Sequence, residues 1–418
     1  METIKKYYLS DAIDSFGTNF WTWFVFIMVF FITIFQNFSN TIVSFTMPNI
    51  STDLGMTNVQ LGSLTTYQMV GMLVGTFLSG FLADRFGRKP VILGMIAIFS
   101  LGTAAIYWCN SYPVFCILRF ITGIGMGPVV AMASVIMGEF APTNRRGFFI
   151  VLNSIGAVLG GAITGFFVGL VVPTFGWRLS YLVGAIPLLY GLFLLFKFPE
   201  SMHWNLVHGR KDKALADLQK FEKAGTGKIS GQYTAEGMMM APQPPEVSWK
   251  AVFKDHPVIT FKLALGQFCA NFVVYGTITW LPMILVLKGF DVQSASYYTA
   301  AGYLAGTVMV VLSAVLTEYL GRRKTCVLGY SLLALSCLLL VFANSYAMIF
   351  ASCIAIGAIR SFAGATLSPI NTEAYPTEYR STGVGVCMSI GRFGGMTAPL
   401  LMGAIISTSL GVPGGVGV

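Results

Sequence analysis

The sequence predicts an all-α polytopic membrane protein built as two repeated helical bundles, and three observations predict it. Of its 418 residues 55% are hydrophobic and only 10% are charged, against about 25% charged in a soluble domain. The side chains needed to cover a water-facing surface are therefore missing. Apolar runs of the length that crosses a bilayer recur along the whole chain, and several motifs return at one fixed distance. Together these exclude a soluble enzyme and a disordered chain. They also exclude a nucleic-acid partner, despite a net charge of +9.

Taken in order, eleven runs are long enough to span: about 21–47, 61–82, 91–108, 113–138, 148–172, 178–197, 257–286, 295–316, 325–343, 347–370 and 382–407. In lipid only helices or closed barrels satisfy their own backbone groups. These runs are far longer than the roughly 10-residue alternating strands of a barrel. Pro48, Pro128, Pro282 and many glycines suit helices that bend or pack closely. The N-terminus is too polar to be a cleaved signal peptide. The seven cysteines contain no CxxC pair and read as small core residues. The organisation expected is a six-span bundle over 1–198, a polar linker over 199–255 and a second bundle over 256–418. Within the linker, 207–223 reads as a short amphipathic surface helix, and 224–247, rich in Gly, Pro and Met, reads as flexible.

Lys and Arg fall on one side of this topology. Lys5, Lys6, Arg85, Arg88, Lys89, Arg145, Arg146, Arg322, Arg323, Lys324, Arg380 and the linker lysines share it, whereas the other side holds only Arg178 and Lys288. The asymmetry predicts a multi-pass cell-membrane protein with a cytoplasmic N-terminus and linker. It also puts the basic excess against anionic lipid of the bilayer.

The repeat has an offset of 234 residues. GFLADRFGRKP at 80–90 returns as AVLTEYLGRRK at 314–324, and EFAPTNRR at 139–146 returns as EAYPTEYR at 373–380. Asn37 and Pro48 match Asn271 and Pro282. Both halves start on the same side, so they are parallel repeats, related by an axis along the membrane normal with a binding site between them.

Over essentially its whole length the chain resembles the major facilitator superfamily. GFLADRFGRKP is similar to the family's loop between helices 2 and 3, and RFITGIGMG at 119–127 resembles its helix-4 motif. FPESMHWNLVHGRKDKAL at 198–215 resembles the segment after helix 6 in sugar-porter and organic-ion branches. EAYPTEYRSTGVG at 373–385 looks closer to the aromatic-acid and metabolite:proton symporters. The resemblance implies the major facilitator fold, two pseudo-symmetric bundles with helices 1, 4, 7 and 10 lining a central cavity. The family pattern has twelve helices. Here STSLGVPGGVGV at 407–418 follows the eleventh and is too short to span, so the twelfth is expected to be truncated or replaced.

The resemblance further implies a conformational latch. Asp84, with Arg85, Gly87 and Arg88, would cap a helix of the opposite half and pair with Arg88 or Arg146. Glu318, Arg322 and Arg323 would do the same in the second half, with Glu139 and Arg146, and Glu373 and Arg380, as cytoplasmic partners of these loops. A carboxylate at a helix N-terminus gains from the macrodipole.

None of the 17 acidic residues lies near the middle of a span, yet Arg119, Arg360 and Arg392 lie within spans. A charge at the bilayer centre costs at least ~2.5–3.5 kcal/mol and marks a cavity or pathway. Cations without a resident counter-ion call for an anionic passenger, and the guanidinium fork suits a carboxylate. Arg360 and Arg392 are the expected clamps, with Arg119 third. Gln36, Asn37, Tyr67, Gln267, Asn271 and Tyr275 are the uncharged polar candidates. The function expected is secondary transport of a small organic anion, possibly an aromatic acid, by a monomer that alternates access and couples to protons. Where the resemblance would put an acidic first helix, this chain reads FQNFSNTIVSF, so exchange or uniport of anions rivals proton symport. A sugar or polyol porter leaves the arginines unexplained, drug efflux usually uses an acidic cavity, and a non-transporting receptor leaves the repeat unexplained. No nucleophile–base set or metal cluster falls in the spans, so neither an enzyme nor a cofactor is expected.

Overall fold

Helix boundaries here follow from capping chemistry written in the sequence. The computed structural model describes residues 6–408 apart from 232 and 241–246. A short strand β1 (Tyr7–Tyr8) and helix α1 (Leu9–Phe16) precede the spans. The first six crossings are α2 (Phe20–Leu54), α3 (Asn58–Phe86), α4 (Arg88–Ala105), α5 (Tyr112–Phe140), α6 (Arg146–Phe175), and the pair α7 (Trp177–Leu182) and α8 (Ile186–Lys197). The linker forms α9 (Met202–Val207), α10 (Lys211–Thr226), β2 (Met238–Met239) and α11 (Trp249–Asp255). Five crossings follow: α12 (Pro257–Leu287), α13 (Val292–Leu320), α14 (Arg322–Phe342), α15 (Tyr346–Ala374) and α16 (Arg380–Ile406). Among the described residues eleven helices are long and apolar enough to cross a membrane. Most of the terminal stretch 407–418 lies outside the described residues.

Asn19 opens α2 by accepting from the backbone N–H of Trp21 at 2.9 Å and of Thr22 at 3.2 Å. Thr57 and Gln60 close a capping box at α3, and Asp291 takes the Ser294 N–H at 2.9 Å at α13. Thr57 and Asp291 are 234 residues apart, as are both ends of α3 and α13 and both ends of α5 and α15. The sharp turns after α3 and α13 are matched too. They use Gly87 at φ 101° and Gly321 at φ 81°, a backbone region that favours glycine. Lys288 donates to the carbonyls of Leu340 (2.7 Å), Val341 and Ala343 at the end of α14, where a cation suits the free carbonyls.

α8 ends and α12 begins on the same face, the linker face; the opposite one is the far face. On the far side one apolar core joins both halves, with Phe45, Tyr181, Trp280, Leu285, Tyr303 and Met402 among its members. On the linker side the cores are separate. One, containing Phe99, Phe140, Phe149 and Leu218, belongs to the first half and the linker. A small one around Val252, Tyr375 and Cys387 belongs to the second. Buried apolar area is what holds such surfaces together, so the halves meet on the far side.

The linker differs from expectation in two ways. The amphipathic helix runs over Lys211–Thr226 rather than 207–223, because Gly209 at φ 71° breaks the chain after α9. The segment expected to be flexible contains β2, which pairs in parallel with β1 in the register Tyr7↔Met238; residues 241–246 of it lie outside the described part. The linker is thus pinned to the first half. Glu222 is buried and accepts from the N–H of Ser230 at 2.8 Å, and Asp14 of α1 accepts from the N–H of Thr143 at 2.6 Å, at the turn between α5 and α6.

Candidate functional site

Two of the three in-span arginines, Arg360 and Arg392, lie on second-half helices on either side of Tyr275. Arg360, on α15, is buried and lies over the ring of Tyr303 on α13, 4.6 Å from its centroid, a geometry that favours a cation. Arg392, on α16, donates from Nη1 to Thr76 Oγ1 of α3 at 3.1 Å, a bond that crosses from one half to the other. Tyr275 on α12 lies within electrostatic reach of both guanidinium groups. Neither arginine forms an ion pair among the described residues. The guanidinium positions are fixed by neutral partners, a ring face and a hydroxyl, which leaves their charge uncompensated. Such a pair can take a carboxylate by two charge-assisted hydrogen bonds.

The polar candidates fall in two groups. Asn271 lies against Gly391, beside Arg392, where an added Cβ would press on its amide. Gln267 accepts from Asn371 Nδ2 at 2.9 Å, tying α12 to α15. Asn37 and Gln36 bond each other at 3.1 Å on α2, and Tyr67 stands exposed on α3. The sequence reading missed Tyr303, Thr76 and Asn371. Asn371 is fully buried just past the end of the 347–370 run, where the flanking Thr372 and Glu373 make it look like a surface residue. Tyr303 and Thr76 carry no signal, since their roles come from helices distant in sequence.

Arg119 is not part of this cluster. It is fully buried within the first half and donates from Nη1 to the Ser39 carbonyl at 3.2 Å. Its face of α5 turns to α2 rather than to the gap between the halves. The surrounding first-half polar groups bond one another: Thr41 with Thr164 at 3.0 Å, Thr46 with Tyr181 at 3.0 Å, and Gln68 with Asn40 at 2.8 Å.

The loop motifs find two of their expected partners, Glu139 and Glu373, but not the expected role for Asp84. Arg88 forms an ion pair with Glu139, and Arg322 forms one with Glu373. These are the same pair in each half, 234 residues apart. The expected pairing of Asp84 with Arg88 or Arg146 is not formed among the described residues, whereas Glu139 and Glu373, expected as partners of these loops, do bind the loop arginines. Gly87 and Gly321 reverse the chain so that the following arginine faces the end of the neighbouring helix, α5 or α15. Arg146 instead donates to the Ala141 carbonyl at 3.4 Å. Asp84, Arg85, Glu318, Arg323 and Arg380 are exposed. Asp84 contributes only its backbone carbonyl, which accepts from Trp204 Nε1 at 2.9 Å. Glu200 replaces it as a cap, one oxygen accepting from the N–H groups of Arg88 (2.9 Å) and Lys89 (3.1 Å) at the start of α4 and of its neighbour Ser201 (2.9 Å). His203 beside it is held below the usual imidazole range by burial and by the Arg88 guanidinium.

On the far face the two halves approach through glycine. A Cβ on Gly62 of α3 would overlap the Pro399 carbonyl of α16, one on Gly403 would overlap the Asn58 carbonyl, and one on Gly161 of α6 would strike the Tyr303 ring. Along α3 and α16 these contacts run from Asn58–Gly403 to Thr76–Arg392. The arginine site therefore lies at the linker-side limit of that seam.

Comparison with known proteins agrees with this architecture. The profile of the Major Facilitator Superfamily matches residues 29–399. The chain is 30% identical over 375 residues to the niacin transporter NiaP of Acinetobacter baylyi, covering 88% of this chain and 83% of that one. It is 27% identical to a gallate transporter of Pseudomonas putida, covering 97% and 90%, and 27% identical to the 4-hydroxybenzoate transporter PcaK of Pseudomonas putida, covering 89% and 83%. Among solved structures, the xylose transporter XylE from E. coli superposes with a TM-score of 0.73 at 18% identity, over 94% of this chain and 95% of that one.

Proposed function

Because this chain belongs to the major facilitator superfamily, we propose that it carries a small aromatic carboxylate across the cell membrane by rocking its two halves around Arg360 and Arg392. The observation that carries the reading is the pair of arginines held between the halves by a ring face and a hydroxyl, without an acidic partner. A carboxylate supplies the missing charge, and Tyr275 and Tyr303 offer aromatic faces beside it. The relatives named for niacin, gallate and 4-hydroxybenzoate support the substrate class. The lysine and arginine asymmetry supports a cytoplasmic linker face. The two-bundle division at the linker and a monomeric unit complete the proposal.

In this reading the Arg88–Glu139 and Arg322–Glu373 pairs, with Asp84 and Glu318 beside them, are the linker-face latch. They regroup as that face closes, while the glycine seam holds the far face shut.

The driving force has two readings. Proton symport needs a titratable group on the path, and the nearest carboxylate is Glu139, engaged with Arg88. Exchange of one anion for another needs none, and the absence of Asp, Glu or His among the described partners of Arg360 and Arg392 favours it. The test is uptake of labelled 4-hydroxybenzoate and nicotinate into vesicles of purified protein. One arm imposes a proton gradient and another preloads unlabelled anion. Stimulation by preloading alone supports exchange, and stimulation by the gradient alone supports symport. Equal uptake by protein-free vesicles would reject transport of these acids.

A further inference from the structure

The first half carries a second cationic site, outside the gap between the halves. A cavity of about 430 Å³ opens at the linker-face edge where the ends of three crossings meet. Trp21 and Phe24 of α2 form one wall, and Lys89 at the start of α4 forms another. Lys197 at the end of α8 and Lys220 of the linker helix α10 complete it.

The electrostatics are one-sided at the ammonium groups. Lys89 and Lys197 have no ion-pair partner among the described residues, and Lys220 is bonded to Asp217 at 2.6 Å. Glu200 also borders the cavity, but one of its oxygens is taken by two backbone N–H groups at the start of α4 and by that of Ser201 before α9. Three lysines thus face two carboxylates, each bonded through one oxygen, and leave a net positive charge around a space large enough for a phosphate and its ester carbons. The depth is set by the spans: α2 and α4 begin here and α8 ends here, so the cavity lies at the level where headgroups sit. Phe196 of the cavity's own lining is 79% exposed, and further along α8 Leu189 is 67% exposed, a surface suited to acyl chains.

We propose that this cavity is a binding site for a phosphodiester anion, supplied as the headgroup of an anionic phospholipid whose tails run down α8. Lys89 and Lys197 hold the phosphate directly. Lys220 shares it with Asp217, so the lipid ties the linker helix to the membrane-embedded helices of the first half. None of the cavity's walls belongs to the second half. The site is therefore separate from Arg360 and Arg392.

The test uses full-length purified protein in neutral detergent. Its melting midpoint is titrated with short-chain phosphatidylglycerol, with phosphatidylcholine of the same chain length, and with inorganic phosphate at constant ionic strength. Phosphatidylglycerol is expected to raise the midpoint and the other two to leave it unchanged. In the K89Q/K197Q/K220Q variant its apparent affinity is expected to fall roughly hundredfold, at about fivefold per lysine. A K211Q/K213Q/K228Q control, which removes equal charge from the linker away from the cavity, should keep the wild-type response. The single change Lys197→Gln, at an exposed side chain, reports the roughly fivefold step if the triple variant does not fold. The site is overturned if the phosphatidylglycerol shift survives the lysine changes, or if phosphatidylcholine produces it equally. The lipid as source is overturned if inorganic phosphate alone reproduces it.

Discussion

Arg360 and Arg392 carry the substrate proposal, and their neutral surroundings decide what a substitution does. Replacing either with Gln removes a charge-assisted bond to the passenger without stranding a buried carboxylate, because neither has one. Each change should therefore weaken apparent affinity by roughly 2–5 kcal/mol, at least about thirtyfold, while surface expression holds. Lys at Arg392 should recover little, since an ammonium lacks the fork. Uptake of aromatic acid at unchanged KM in both Gln variants would sink the clamp. These residues were legible as lone cations in apolar runs. Arg119 has the same signature and lies elsewhere, because an apolar run sets depth in the membrane but not the direction a side chain takes around the helix. Its Ser39 carbonyl partner comes from a helix 80 residues away, and no local pattern announces it. Asp84 shows the same limit: its motif was legible, but Arg88 turns to Glu139 because of the backbone at Gly87.

Whole elements were more legible than single partners, because capping and hydrophobic length are local. The runs located every crossing, and the offset of 234 reappears in the ends of α3 and α13 and of α5 and α15. The β1–β2 pair was not legible: two residues on each side meet across 231 positions, too short to leave an alternation. The matched caps differ in one way that can be tested. Thr57 cannot titrate, whereas Asp291 can, and its bonds to the Ser294 N–H and side chain hold its carboxyl below the ordinary value of 3.8. A depressed folded-state value means the cap's contribution is fully present above the ordinary carboxyl range. It is lost as the pH falls through that range toward the lower folded value. Wild-type protein should thus lose melting temperature relative to Asp291→Asn as the pH is lowered from about 5 to 3, with the two alike near neutrality. A difference that is constant with pH would show that the carboxylate is not the cap.

At the scale of the molecule the question is what sets the balance between the two closed faces. On the far side a shared core and a seam of glycines hold the halves together, while on the linker side the cores are separate. Gly62 is the sharpest point of that seam, since the atom an added Cβ meets is the Pro399 backbone carbonyl rather than the end of a flexible side chain. Valine there cannot be absorbed by a rotamer change, so the halves must separate on that face. Overpacking of this kind costs about 1–3 kcal/mol, which shifts a two-state balance by roughly 5- to 150-fold. The cost falls only on the far-closed state, so Gly62→Val should populate a far-open arrangement and slow transport. Gly94→Ala, where the Cβ would meet nothing within 4 Å, should do neither. Spin labels at Trp108 and Phe342, matched exposed positions at the far-face ends of the third and ninth crossings, would report the change as a longer distance in Gly62→Val. An unchanged distance together with full transport would mean the seam is contact without leverage, and the far face would need another explanation for staying shut.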